Sequence, residues 1–90
     1  MVAAARRARF HELHAGPELF VMPNPWDVGS ARLLEASGFE ALATTSQGFA
    51  WSIGKLDMKV TRGELVAHVE QLAASVAVPL NVDSERCFPD

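Results

Sequence analysis

Three short apolar runs punctuate the chain, and none alternates cleanly between apolar and polar positions. Leu19-Phe20-Val21-Met22 ends at Pro23-Asn24-Pro25, Ala41-Leu42-Ala43-Thr44-Thr45 ends at Ser46-Gln47-Gly48, and Val78-Pro79-Leu80-Asn81-Val82 ends at Asp83. Continuous apolar runs of this length suit strands covered on both faces, as in a parallel sheet. Between the runs the period becomes helical. Asp27 stands as an N-cap before Val28, Ala31 and Leu34, with Leu33 beside them, and Gly38 follows as a stop. Thr61-Arg62-Gly63-Glu64 has the form of a capping box, in which the hydroxyl accepts from the Glu64 amide and the carboxylate from the Thr61 amide. Leu65, Val69, Leu72, Ala73 and Val76 then share one face at helical spacing. His68 lies in that helix and is expected to face solvent. Residues 2–14 read as an opening helix closed by Gly16-Pro17, whereas residues 46–60 have no strong period and read as a long connection.

The order is helix, then strand–helix–strand–helix–strand. Such alternation predicts right-handed βαβ units and an α/β fold of about three parallel strands with intervening helices. Three parallel strands bury little core, so residues 1–90 are expected to form a single partial domain, marginal on its own.

Composition narrows the function classes. The chain is 49% hydrophobic and 21% charged, which suits a globular protein and not a disordered one. A formal net charge of -3 provides no basic face for nucleic acid. No apolar run reaches the roughly 18–20 residues that span a bilayer. Arg6, Arg7 and Arg9 are not followed by the apolar core of a signal peptide. Cys87 is the only cysteine, so no internal disulfide forms. The expected location is the cytoplasm, with no nucleic-acid and no membrane partner.

In parallel α/β folds ligands gather at the C-terminal ends of strands. The first run delivers Asn24, Trp26 and Asp27 to that end, the second Thr44, Thr45, Ser46 and Gln47, the third Asp83, Ser84 and Glu85. A turn and a helix cap account for Asn24 and Asp27. Residues 44–47 are either an ordinary polar loop or, followed by Gly48, a place where backbone amides approach an anion. Asp83 and Glu85 lie just past a buried strand and suit a hard cation through oxygen ligands, although a solvated loop explains the same spacing. Asp57 is either exposed or a third carboxylate carried by a binding loop. His11 and His14 are three apart and read as surface residues, and Cys87, without a placed His partner, as an incidental thiol. Trp26 and Trp51 are expected to pack, and Arg86 to form an exposed ion pair. No Gly-rich phosphate loop follows the first strand, which disfavours a phosphoryl-transfer fold.

Taken together, Phe20-Val21-Met22-Pro23-Asn24-Pro25-Trp26-Asp27-Val28-Gly29-Ser30-Ala31-Arg32 and Gly38-Phe39-Glu40-Ala41-Leu42-Ala43-Thr44-Thr45-Ser46 resemble the opening of the isocitrate lyase/phosphoenolpyruvate mutase superfamily. The likeness continues through Gly48-Phe49-Ala50-Trp51-Ser52-Ile53-Gly54-Lys55-Leu56-Asp57 and Pro79-Leu80-Asn81-Val82-Asp83-Ser84-Glu85, so it covers nearly all of residues 19–90. The resemblance implies the N-terminal portion of a (β/α)8 TIM-type barrel, which takes about 250 residues when complete. It implies a metal-dependent lyase or mutase, using Mg²⁺ or Mn²⁺. Such an enzyme acts on C–C or C–P bonds of small 2-oxo acids or their precursors through an enolate-like species. Asp83 matches the principal metal carboxylate and Glu85 a second acidic metal residue. Asp57 matches an acidic loop residue near metal and substrate, and Thr45, Ser46 and Gln47 the segment that grips the substrate carboxylate and oxo oxygen. A small 2-oxo acid or dicarboxylate is the implied substrate, and the full-length parent is expected to be a homo-oligomer. The Gly-aromatic-Gly turn that the resemblance implies for many members is replaced here by Arg86-Cys87-Phe88-Pro89, and the family's mobile catalytic loop is expected beyond Asp90. The 90-residue chain alone is therefore expected to be inactive, and the alternative reading is a catalytically inactive fragment or interaction remnant of such a barrel.

Overall fold

The computed structural model describes residues 3–88. Among them the elements run α1 (Ala3–Ala15), α2 (Val28–Ala36), β1 (Leu42–Ala43), α3 (Ser46–Ser52), α4 (Arg62–Ser75) and β2 (Leu80–Asn81). The strands pair in parallel, Leu42 opposite Leu80 and Ala43 opposite Asn81. Leu42 N donates to Pro79 O at 2.9 Å and Thr44 N to Asn81 O at 2.8 Å, so the crossover through α3 and α4 returns the chain alongside β1.

Among the described residues the expected three strands are two, β1 and β2. The extended segment ahead of α2 meets β1 through Pro23, whose carbonyl accepts from Ala43 N at 3.0 Å. Pro23 and Pro25 have no amide to give to a ladder. Asn24 substitutes its side chain, donating from Nδ2 to Ala43 O at 2.8 Å. β1 is thus bonded on both sides, but by a two-residue ladder on one and a proline-interrupted extended segment on the other.

The helix ends follow the local sequence closely. Asp27 Oδ1 accepts from Ser30 N at 2.8 Å while Ser30 Oγ accepts from Asp27 N at 3.2 Å, a capping box at the start of α2. Gly38 follows the helix at φ +101°, a conformation that glycine adopts without a Cβ penalty. At α4, Glu64 N donates to Thr61 Oγ1 at 3.1 Å and Thr61 N to Glu64 Oε1 at 2.8 Å. Ala31, Leu42, Leu72 and Val76 form the main core, against which Val28, Leu34, Phe39, Val78 and Leu80 pack. Glu35 ties α2 to the entry of β2, accepting from Ala77 N at 2.6 Å and Val78 N at 3.3 Å. α1 buries no residue of its own. It is held by Arg6, which donates to Ala73 O at 3.0 Å and Val76 O at 2.6 Å, a cation at the C-terminal end of α4.

Residues 46–60 are not simply a loop. Thr45 caps α3, accepting from Gly48 N at 3.2 Å, and Phe49, Ala50 and Val60 form a second small cluster with Phe88 packed against it. His68 does not face solvent: it is 5% exposed and stacks on Phe49. Trp26 and Trp51, expected to pack, are 49% and 61% exposed. No helix among the described residues is long and apolar enough to cross a membrane.

Candidate functional site

Because β1 and β2 are parallel, their C-terminal ends open on one side, and a hydrogen bond joins them there. Asp83 N donates to Thr44 Oγ1 at 2.8 Å. Thr44 is 4% exposed, so its hydroxyl is committed to fixing where the acidic segment leaves the sheet. Read as a sequence, Thr44 belonged to an undifferentiated polar run. It follows directly on β1, and no local pattern marks it off from its neighbours, because its partner lies 39 residues on.

Thr45, Ser46 and Gln47 follow directly as the cap and first turn of α3. The turn is tight: a Cβ built on Gly48 would lie 2.6 Å from Thr45 Cγ2. Gln47 is exposed, whereas Thr45 and Ser46 are half-buried.

Asp83 is exposed and Oδ1 accepts from Glu85 N at 3.0 Å, which folds the acidic segment back on itself. The Glu85 side chain is 0% exposed, and neither carboxylate oxygen has a hydrogen-bond partner. Its nearest cation is Arg86, with Nη1 3.7 Å from Oε2, and the Arg86 guanidinium also lies over the Phe88 ring at 4.9 Å. A buried carboxylate without donors is costly unless a cation compensates it. Arg86 is half-exposed, and the ion pair expected of it forms with the neighbouring Glu85.

Asp57 lies in the connection after α3, its Oδ1 accepting from Met58 N at 3.0 Å. Lys55 anchors that connection to α4 through a 2.7 Å ion pair with Glu64. Lys55 and the Thr61 amide hold the Glu64 carboxyl below its usual range, and the Ser30 amide and hydroxyl do the same for Asp27.

Carboxylate oxygens such as those of Asp83 and Glu85, the latter buried without a hydrogen bond, are the donor type that a hard divalent cation takes. Among the described residues, however, no group of three or more His, Cys, Asp or Glu converges, so Asp57 is not brought into a common cluster with them. Two grooves lie elsewhere. One, of about 580 Å³, separates α1 from Val69, Ala73 and Leu80; the other lies beside residues 16–21.

An uncharacterised protein of Mycobacterium tuberculosis is 44% identical over 86 residues, covering 90% of this chain and 31% of that protein. A Burkholderia cenocepacia protein described as a lyase/mutase superposes with a TM-score of 0.87 at 44% identity, over 90% of this chain and 29% of the other. The structure of 2,3-dimethylmalate lyase, a member of the PEP mutase/isocitrate lyase superfamily, superposes with a TM-score of 0.76 at 32% identity, over 93% and 30%. The chain thus spans about a third of the length of the relatives it matches. With the sequence pattern of phosphoenolpyruvate phosphomutase matching residues 10–90, the chain belongs to that family, within the PEP mutase/isocitrate lyase superfamily.

Proposed function

We propose that this chain supplies the first part of a metal-dependent lyase or mutase. Its substrates would be small 2-oxo acids, dicarboxylates or their precursors, whose C–C or C–P bonds change through an enolate-like species. The observation that carries this reading is the Asp83–Thr44 hydrogen bond, because it sets the acidic segment beside the Thr45, Ser46 and Gln47 turn at one end of a parallel sheet. Asp83 and Glu85 are the residues that would hold Mg²⁺ or Mn²⁺. A bound divalent ion would polarise the substrate's oxo group and offset the charge that develops on its oxygen. Thr45, Ser46 and Gln47 offer hydroxyls and a carboxamide to orient the substrate carboxylate. Asp57 serves as the acidic group of the loop, taking or returning a proton.

The complete protein is proposed to be a cytoplasmic homo-oligomer, with residues 1–90 as one partial domain of its barrel. The test uses a full-length protein carrying this segment. Asp83→Ala is expected to lower metal-dependent turnover of 2-oxo acids by more than the roughly 100-fold that changes around a metal's ligands reach. Unchanged turnover would remove Asp83 from the site. The reading as an inactive remnant has one observation in its favour, the failure of Asp57 to converge with Asp83 and Glu85. A full-length protein without metal-dependent turnover would decide for it.

A further inference from the structure

We infer that His68 is a positioning residue: its uncharged ring, stacked on Phe49, seats α3 and with it the Thr45, Ser46 and Gln47 turn, and protonating His68 releases that turn. The rings lie 3.8 Å apart between centroids and 14° from parallel. His68 is 5% and Phe49 8% exposed, so the stack is interior, and His68 Nε2 is buried with no hydrogen-bond partner. A neutral imidazole tolerates one nitrogen without a donor. An imidazolium carries a proton on each nitrogen, and the one on Nε2 would have no acceptor.

Movement of Phe49 reaches the turn over a short path. Phe49 N donates to Thr45 O at 3.0 Å, and Gly48 N to Thr45 Oγ1 at 3.2 Å. The close fit of Gly48 against Thr45 leaves little slack in that turn to absorb a shift.

Burial, rather than the charged surroundings, favours the neutral ring. α3 carries no titratable side chain. From the α2 side, the Asp27 carboxylate acts on His68 and favours the charged form. On α4 itself, Glu64 is paired with Lys55. Burial outweighs Asp27, and the ring is held below its ordinary value. The sign follows: the seated turn is fully present above the ordinary histidine value of about 6.5 and is lost as pH falls below it toward the folded value. The link to substrate binding rests on the role proposed above for Thr45, Ser46 and Gln47, whereas the seating of α3 does not.

Backbone amide NMR of the 90-residue chain, titrated from about pH 8 to about pH 5 across the histidine range, separates the two. The Ser46, Gln47, Gly48 and Phe49 amides are expected to lose their helical shifts with a midpoint shared with the His68 ring protons and lower than that of an exposed histidine. That response should vanish in His68→Gln and His68→Phe and persist in His11→Gln. Three results would overturn the inference: α3 amides that stay fixed while His68 titrates, amides that still titrate in both His68 variants, or no helical shifts in α3 at the upper pH. Failure of the Asp83→Ala test would leave this result intact.

Discussion

At Cys87 the backbone stands at φ +63° and at Phe88 at φ +46°, following Glu85 at φ +57°. Left-handed angles cost a residue with a Cβ about 1–2 kcal/mol, and glycine almost nothing. These residues stand where the resemblance read from the sequence implies a Gly-aromatic-Gly turn. In the structure Cys87 and Phe88 hold left-handed angles there, which glycine would adopt at less cost. Cys87→Gly is expected to stabilise the chain by about 0.5–1 kcal/mol, the relief of strain less the added freedom of the unfolded chain. Urea unfolding reads this directly: Cys87→Ala, which keeps the Cβ, should show no gain, and a lower midpoint for Cys87→Gly would contradict the strain. Thr44 teaches the complementary lesson. Its hydroxyl is what fixes Asp83, and no spacing rule distinguishes it from its neighbours, because the partner lies 39 residues away in sequence.

Among the elements, what was legible was local. The caps of α2 and α4 and the stop at Gly38 are written within a few residues, and each forms as the pattern requires. α3 was illegible because its helix depends on burial of Phe49 and Ala50 by distant parts of the chain, with only the Thr45 cap as a local cue. His68 was misread for the same reason: the face it occupies is covered by α3, an element the pattern did not reveal. The first apolar run failed as a strand because Pro23 and Pro25 interrupt the very residues that reach β1. The cap of α4 gives a quantitative check. Thr61→Ala should cost about 1 kcal/mol and reduce helicity by circular dichroism, and an unchanged unfolding midpoint would contradict the capping box. The depressed Glu64 carboxyl adds a pH sign: its stabilisation is full above the ordinary carboxylate range and is lost as pH falls through its lowered folded value.

For the whole molecule, a small core is divided between two clusters, one under α2 and α4 and one under α3. Large apolar side chains remain at both flanks of the sheet, with Leu19 95% and Val21 60% exposed near one side and Val82 39% exposed on the other. That distribution suits a segment spanning about a third of its relatives, in which further strands and helices would cover these flanks. At the candidate site Asp83 and Glu85 follow the C-terminal end of β2, while among the described residues Asp57 joins no cluster with them. Whether those two carboxylates take a divalent ion is the point on which the proposed function turns. A Mn²⁺ titration of the chain, followed by paramagnetic broadening of its backbone amides, tests it most directly. Broadening that begins at Asp83, Ser84 and Glu85, extends to Thr44 and Thr45, and disappears in Asp83→Ala is the predicted result. Broadening shared equally with Glu12, Glu40 and Glu70, or none at these amides, would contradict a metal site there.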